Sequence, residues 1–270
     1  MMDCMQTLAN ERQTVLSSEP FTLTNISRMI EQVERWRSWF GFIEPYYALK
    51  AQNTQVTRKL FGRLGCGYDC ASLPEIAGVL AGGCSPENIV VAHPFKSHQC
   101  IVEILERQML TVVDSVQEVK KISRIQKDRV NIKSDDMPST LIRIKASEST
   151  SRKVEWDLST KFGVKWEEFE TLVGSCVKNE INVKGIAFHV GLRASDAEPW
   201  IDTIAFAREC WDILHKYGYS PGILDIGGGF YQHDDNDKRS EEIGRRIQEC
   251  IVDNFSNLDR FPTTIAEPGS

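Results

Sequence analysis

Lys50 closes the otherwise apolar run PYYALK. A lysine drawn out of water at such a place has its charged form disfavoured, which lowers its pKa and makes it a nucleophile toward aldehydes. The plainer reading is a surface lysine snorkelling from a strand end. Asp69 stands in GYDCAS, and His189 near the end of GIAFHV, where a histidine is either a hydrogen-bonded structural residue or a catalytic one. Gly227, Gly228 and Gly229 follow in LDIGGG. Three glycines let backbone N–H groups crowd around an anion. A tight turn needing positive φ would require only one of them. Glu267 and Gly269 then arrive in TIAEPG. The set offers an amine for an aldehyde, a cup for a phosphate, a ring to stack on and a buried carboxylate. Pyridoxal phosphate would use all four: the lysine takes the aldehyde, the glycines take the phosphate, and the carboxylate keeps the pyridine nitrogen protonated.

These residues need elements to hold them. Short, near-continuous apolar runs recur at Pro45 to Lys50, Gly67 to Ser72, Asn88 to His93, Leu110 to Ser115, Thr140 to Ala146, Gly185 to Val190, Leu224 to Gly229 and Thr264 to Gly269. Such runs suit parallel strands covered on both faces. Helical spacing separates them. WEEFETLVGSCVKNE carries Phe169, Leu172, Val173, Cys176 and Val177 on one stripe, and WIDTIAFARECWDILHKYGY ends with Gly218 as a cap. Asn25 to Phe40 reads as an amphipathic helix before the first strand, and SPENIV as a turn. Polar loops are expected at 132–140 and at 232–239. Eight strand-helix units predict an α/β fold of the (β/α)8 type, with an open doubly wound sheet as the competitor. DIGGGF is not G-x-G-x-x-G and comes on the seventh strand, which speaks against a dinucleotide fold. In a barrel, the active site lies at the C-terminal ends of the strands, where all the residues above fall.

Composition bounds the rest. The chain has 270 residues, 41% hydrophobic and 26% charged, with a net charge of −6. That argues for a globular protein with a real core and against a general nucleic-acid binder. No apolar run approaches the ~20 residues that span a bilayer. The first residues lack the basic-then-apolar order of a signal peptide, so a cytoplasmic protein is expected. Eight scattered cysteines read as free thiols and not as disulfides, and none makes a zinc pattern with histidine, so no metal is expected. The expected organisation is an N-terminal extension over 1–24 and one barrel domain over 25–270.

PYYALK, GYDCAS, SPENIVVAHPFK, LTVVDSVQEVKKI, LSTKFGV, GIAFHVG, LDIGGGF and AEPG occur in the order seen in the eukaryotic ornithine decarboxylase family. The chain resembles these alanine-racemase-like, fold-type III pyridoxal-phosphate enzymes from about Phe21 onward. The resemblance implies a TIM-like barrel that binds pyridoxal phosphate, here without the family's last barrel helix and C-terminal β domain. It implies Lys50 as the lysine that condenses with the cofactor, Asp69 as a polar neighbour, and His189 as the residue stacked on the pyridine ring. Gly227 to Gly229 would hold the phosphate and Glu267 the pyridine nitrogen. The implied reaction is decarboxylation of a basic amino acid, ornithine to putrescine, by a homodimer or by a heterodimer with a full-length homologue.

The sequence also departs from that pattern. Asp157 stands where the family has an arginine, Leu192 followed by Arg193 where it has a phosphate-binding serine, and Ser270 where an arginine grips the phosphate. A charge-assisted hydrogen bond contributes ~1.5–3 kcal/mol, so losing that arginine would weaken cofactor binding roughly 10- to 100-fold. Two classes of function stay open: a decarboxylase, or a catalytically impaired paralogue that pairs with a longer homologue.

Overall fold

Hydroxyl and amide side chains mark where the helices start. In the computed structural model, which describes residues 23–128, 137–147, 154–156, 161–230 and 238–269, helix α1 (Ile26–Phe40) opens on Asn25, whose Oδ1 accepts the Arg28 N–H at 3.0 Å. Two compact units divide within this helix, Met1–Val33 and Glu34–Ser270. The described part of the first, residues 23–33, is the opening of α1, with Arg28 and Glu31 paired at 3.5 Å.

The second unit alternates strand and helix. Its elements are β1 (Glu44–Ala48), α2 (Gln55–Arg63), β2 (Gly67–Asp69), α3 (Leu73–Ala81), β3 (Ile89–Val91), α4 (His98–Arg107), β4 (Leu110–Val113), α5 (Val116–Lys127) and β5 (Thr140–Arg143). They continue with β6 (Val154–Trp156), α6 (Trp166–Lys178), β7 (Val183–Ala187), β8 (Leu192–Ala194), α7 (Glu198–Lys216), β9 (Ile223–Asp225), α8 (Arg239–Phe255) and β10 (Thr263–Ala266). Thr54 caps α2 through a reciprocal capping box, while Ser97 and Ser115 each accept an N–H from the first turn of α4 and α5. Gly218, at φ +84°, stops α7 as expected, its N–H returning to His215 O.

Eight parallel strands close a barrel in the order β1-β10-β9-β7-β5-β4-β3-β2. The seam sets Glu44 of β1 opposite Ile265 of β10. The barrel strands are mostly apolar on both faces because both are covered. Val90, Ala92, Leu110, Val112, Leu141, Ala187 and Ile265 fill the interior. Outside it, the helices pack Phe169, Trp200, Trp211, Ile247 and Phe255, all fully buried, onto the sheet.

All eight expected strands form, but each is shorter than its apolar run. β1 stops at Ala48, β2 at Asp69 and β9 at Asp225. Many of the excess residues, such as Leu49, Cys70, Ile144 and Ile226, are buried just past the strand ends, and hydrophobic pattern cannot separate a buried turn from a buried strand. One pairing was absent from the sequence reading: β6 and β8 form an antiparallel ribbon, Val154 opposite Ala194 and Trp156 opposite Leu192. The turn SPENIV contains a 3-10 turn, Pro86–Asn88. Residues 132–136 and 232–237 of the two expected loops lie outside the described residues, as do Asp157, Ser270 and residues 1–22. Among the described residues, no helix is long and apolar enough to cross a membrane.

Candidate active site

The C-terminal rim gathers the expected residues from five strands. Lys50 lies two residues past β1, and its Nζ donates to Asp69 Oδ2 at the end of β2, 2.9 Å away. Asp69 is buried, whereas the lysine side chain keeps 58% of its exposure. Burial pulls the Lys50 pKa down, as the sequence suggested, but the Asp69 and Glu267 carboxylates outweigh it and the net shift is upward. The expectation of a lowered pKa is therefore corrected. The sequence identified the desolvation and could not identify the carboxylate facing it across the strand gap.

His189 sits two residues past β7. Its Nδ1 accepts the Gly191 N–H at 3.0 Å. Burial, then the cations Arg143 and Lys50, push its pKa down to about 3, so the ring is neutral and carries its proton on Nε2.

The glycine turn after β9 runs directly beneath this ring. A methyl group at Gly227 would lie 2.2 Å from Phe188 O, and one at Gly228 would lie 2.9 Å from His189 Nε2 and 3.0 Å from Glu267 O. At Gly229 it would meet Gly191 O at 2.7 Å. Gly227 and Gly229 also adopt positive φ, +64° and +106°. The protein's own packing therefore requires all three glycines, which corrects the view that three exceed what a turn demands. The turn still offers backbone donors: the N–H groups of Gly228 and Gly229 meet no acceptor among the described residues.

Glu267, one residue past β10, is buried, and its N–H donates to Gly227 O at 2.8 Å. Gly269 packs on β1, where a methyl group would lie 3.2 Å from the Ala48 Cβ. Burial drives the Glu267 pKa well up, and the charges of Asp225 and Asp69 add to that.

Two residues that the sequence reading passed over belong to this cluster. Asp225 ends β9, fully buried, with Oδ1 accepting the Gly227 N–H at 2.9 Å and Oδ2 receiving no N–H among the described residues, so that the Glu267 carboxyl is the side chain's other hydrogen-bond partner. Burial raises its pKa to about 7. Asp225 and Glu267 thus hold an extra proton between them, because two buried carboxylates cannot both ionise cheaply. Arg143 ends β5, donates Nη1 to Ala92 O at 3.3 Å and lies over the Phe162 ring. Its charge reaches Lys50, His189, Asp225 and Glu267 alike. Both residues carried the signal that picked out Lys50, a charge at the end of an apolar strand.

The departures resolve in part. Leu192 is exposed, and Arg193, at φ +53°, pairs with Glu155 of β6 at 3.1 Å on the outside of the ribbon.

Residues 26–270 match the family model for the pyridoxal-dependent decarboxylase, pyridoxal binding domain. The ornithine decarboxylase of Leishmania donovani is 32% identical over 93% of this chain and 34% of its own length, and that of Caenorhabditis elegans is 30% identical over 92% and 56%. Antizyme inhibitor 2 of Xenopus laevis is 29% identical over 99% of the chain and 56% of its own length. The chain therefore spans about a third to just over half of these curated relatives. Among solved structures, the arginine decarboxylase of Paramecium bursaria Chlorella virus, bound to agmatine, superposes with a TM-score of 0.88 at 25% identity, covering 100% of this chain and 68% of that one. The ornithine decarboxylase of Entamoeba histolytica gives 0.78 at 27% identity, covering 98% and 71%.

Proposed function

The chain belongs to the pyridoxal-dependent decarboxylases, and on that premise we propose that it is the cofactor-binding barrel of a cytoplasmic enzyme that removes CO2 from a basic amino acid, with ornithine the first substrate to test. The observation that carries the reading is the buried carboxyl pair Asp225 and Glu267, with one oxygen that no N–H of the described residues reaches, set behind a lysine that can take an aldehyde. A buried acidic pair of this kind calls for a positively charged N–H, and a protonated pyridine nitrogen would supply it. The residues present fit pyridoxal phosphate. Lys50 would hold its aldehyde carbon, Glu267 with Asp225 its ring nitrogen, the neutral His189 ring one face, and the Gly228 and Gly229 amides its phosphate. When bound, the cofactor supplies an electron sink for the pair left behind by departing CO2.

The side chains prepare for that chemistry. Asp69 holds and orients the Lys50 ammonium at 2.9 Å, and the lysine must give up its proton before its lone pair is available. A neutral His189 stacks without placing a second cation beside the ring. Arg143 lowers the electrostatic cost of the negative charge that the Asp225 and Glu267 pair retains. The substrate is a small basic amino acid, and the protein is read as a homodimer or as the partner of a longer homologue.

The test is an absorbance titration of the purified chain with pyridoxal phosphate. A new near-visible band is expected, absent in Lys50→Ala; no band at saturating cofactor would overturn the reading. CO2 release from ornithine, lysine and arginine then ranks substrates. A second reading, a catalytically impaired paralogue, is favoured by Leu192 and by Arg193 engaging Glu155. It is supported if the band forms, no CO2 is released, and the chain co-purifies with a longer decarboxylase.

A further inference from the structure

A second cavity opens at the opposite end of the barrel. There the residues entering β2 and β3 and the last turns of α2 and α3 enclose about 360 Å³. Its charged lining is Arg58, Lys59 and Arg63, with no carboxylate among the lining residues. Arg37 reaches the edge, donating Nη2 to Leu64 O and lying 3.4 Å from where a Gly65 Cβ would sit. In a chain of net charge −6, that is a local reversal of sign.

The cations are not used up by the fold. Arg58 donates one N–H to Asn53 Oδ1, while Lys59 and Arg63 have no hydrogen-bond or ion-pair partner among the described residues. Nor does answering the negative ends of α2 and α3 account for them. Arg63 is in the last turn of α2, but Arg58 and Lys59 lie further back. The terminal carbonyls are already taken: Leu64, Gly65 and Cys66 N–H groups return to Leu60, Gly62 and Phe61, and Gly82, Gly83 and Cys84 return to Gly78, Leu80 and Val79. Glu87 is held by the Ser85 hydroxyl beside the cavity and offsets only one charge.

We propose that this cavity binds a small phosphate monoester, its dianion held by Lys59, Arg63 and Arg58 with the Asn88 amide beside them. An excess of at least two positive charges favours a dianion over a single carboxylate, and guanidinium forks match phosphate oxygens. The volume lies in the range of small-molecule sites and accommodates a phosphate with a sugar-sized body.

Isothermal titration of the chain, loaded with pyridoxal phosphate at the rim and then desalted free of unbound cofactor, which is itself a phosphate monoester, reads the inference directly. The probes are inorganic phosphate and ribose 5-phosphate, with sodium chloride at matched ionic strength as control. Saturable one-to-one binding is expected, tighter for ribose 5-phosphate and weakened by added salt. In the exposed double variant K59Q/R63Q the affinity should fall tenfold or more, and in E87Q it should rise a few-fold, with the cofactor spectrum unchanged in both. Failure of both probes to saturate, or equal affinity in K59Q/R63Q, overturns the proposal. If only inorganic phosphate binds, the monoester assignment is overturned. None of these outcomes depends on whether the rim site decarboxylates anything.

Discussion

Lys50 must present a lone pair to an aldehyde, yet it faces Asp69 at 2.9 Å and its pKa is raised. Capture of added pyridoxal phosphate should therefore accelerate as pH rises from 7 toward 10. In Asp69→Asn the same curve should move to lower pH, because the carboxylate that holds the lysine charged is gone. Mixing experiments that follow absorbance across pH would detect this, and coincident curves would remove Asp69 from the role. The carboxyl pair makes a prediction of opposite sign. The folded pKa of Asp225 is raised from an ordinary 3.8 to about 7, so between those values the folded state holds a proton that the unfolded chain has lost. Stability from this group is present below pH 3.8 and is lost as pH rises toward 7. Asp225→Asn, which keeps an oxygen for the Gly227 N–H, should then stabilise the cofactor-free chain at pH 8 by at least about 1 kcal/mol and do little at pH 4. Urea unfolding at the two pH values measures it, and an equal effect at both would contradict the shared proton.

Rigid elements set these residues against one another, and two devices do most of the fixing at the rim. The first is Lys96 in the β3–α4 turn, fully buried, with Nζ donating to His93 O at 3.1 Å and Val112 O at 2.7 Å. Glu118 of α5 accepts the Lys96 N–H at 3.1 Å and pairs with Lys121 at 2.6 Å. One residue thereby ties a loop, a strand and a helix together. Lys96→Met should cost about 3–5 kcal/mol, since it leaves Glu118 and two carbonyls short of a donor, and chemical denaturation would report it. The second device is the glycine turn under His189. Gly228→Ala puts a methyl group 2.9 Å from the histidine Nε2 and 3.0 Å from Glu267 O. We expect a loss of about 1–3 kcal/mol of stability and weaker cofactor binding in the same variant. Normal cofactor affinity in Gly228→Ala would separate the turn from the site.

At the scale of the whole barrel, closure makes distant elements interdependent. Ile265 of β10 packs inside with Val90, Leu110 and Leu141, so Ile265→Ala should cost about 2–5 kcal/mol. Because the seam joins the last strand to the first, the loss should appear in one cooperative transition and should weaken cofactor binding as well. A separate early transition would show that β10 opens independently. By itself the sequence determined the eight strands, their helical crossovers, the barrel and the rim positions of Lys50, Asp69, His189, Gly227 to Gly229 and Glu267. Those follow from local period and from charges ending apolar runs, which are properties of short segments. The tertiary structure alone decided that Lys50 is pulled up by a carboxylate 19 residues away, that Asp225 and Glu267 share a proton, and that His189 is neutral. It also decided that Leu192 and Arg193 belong to an outer ribbon. Each of these depends on which strand lies beside which. That order is fixed only when the barrel closes, because electrostatics and packing act over distances in space that sequence spacing does not contain.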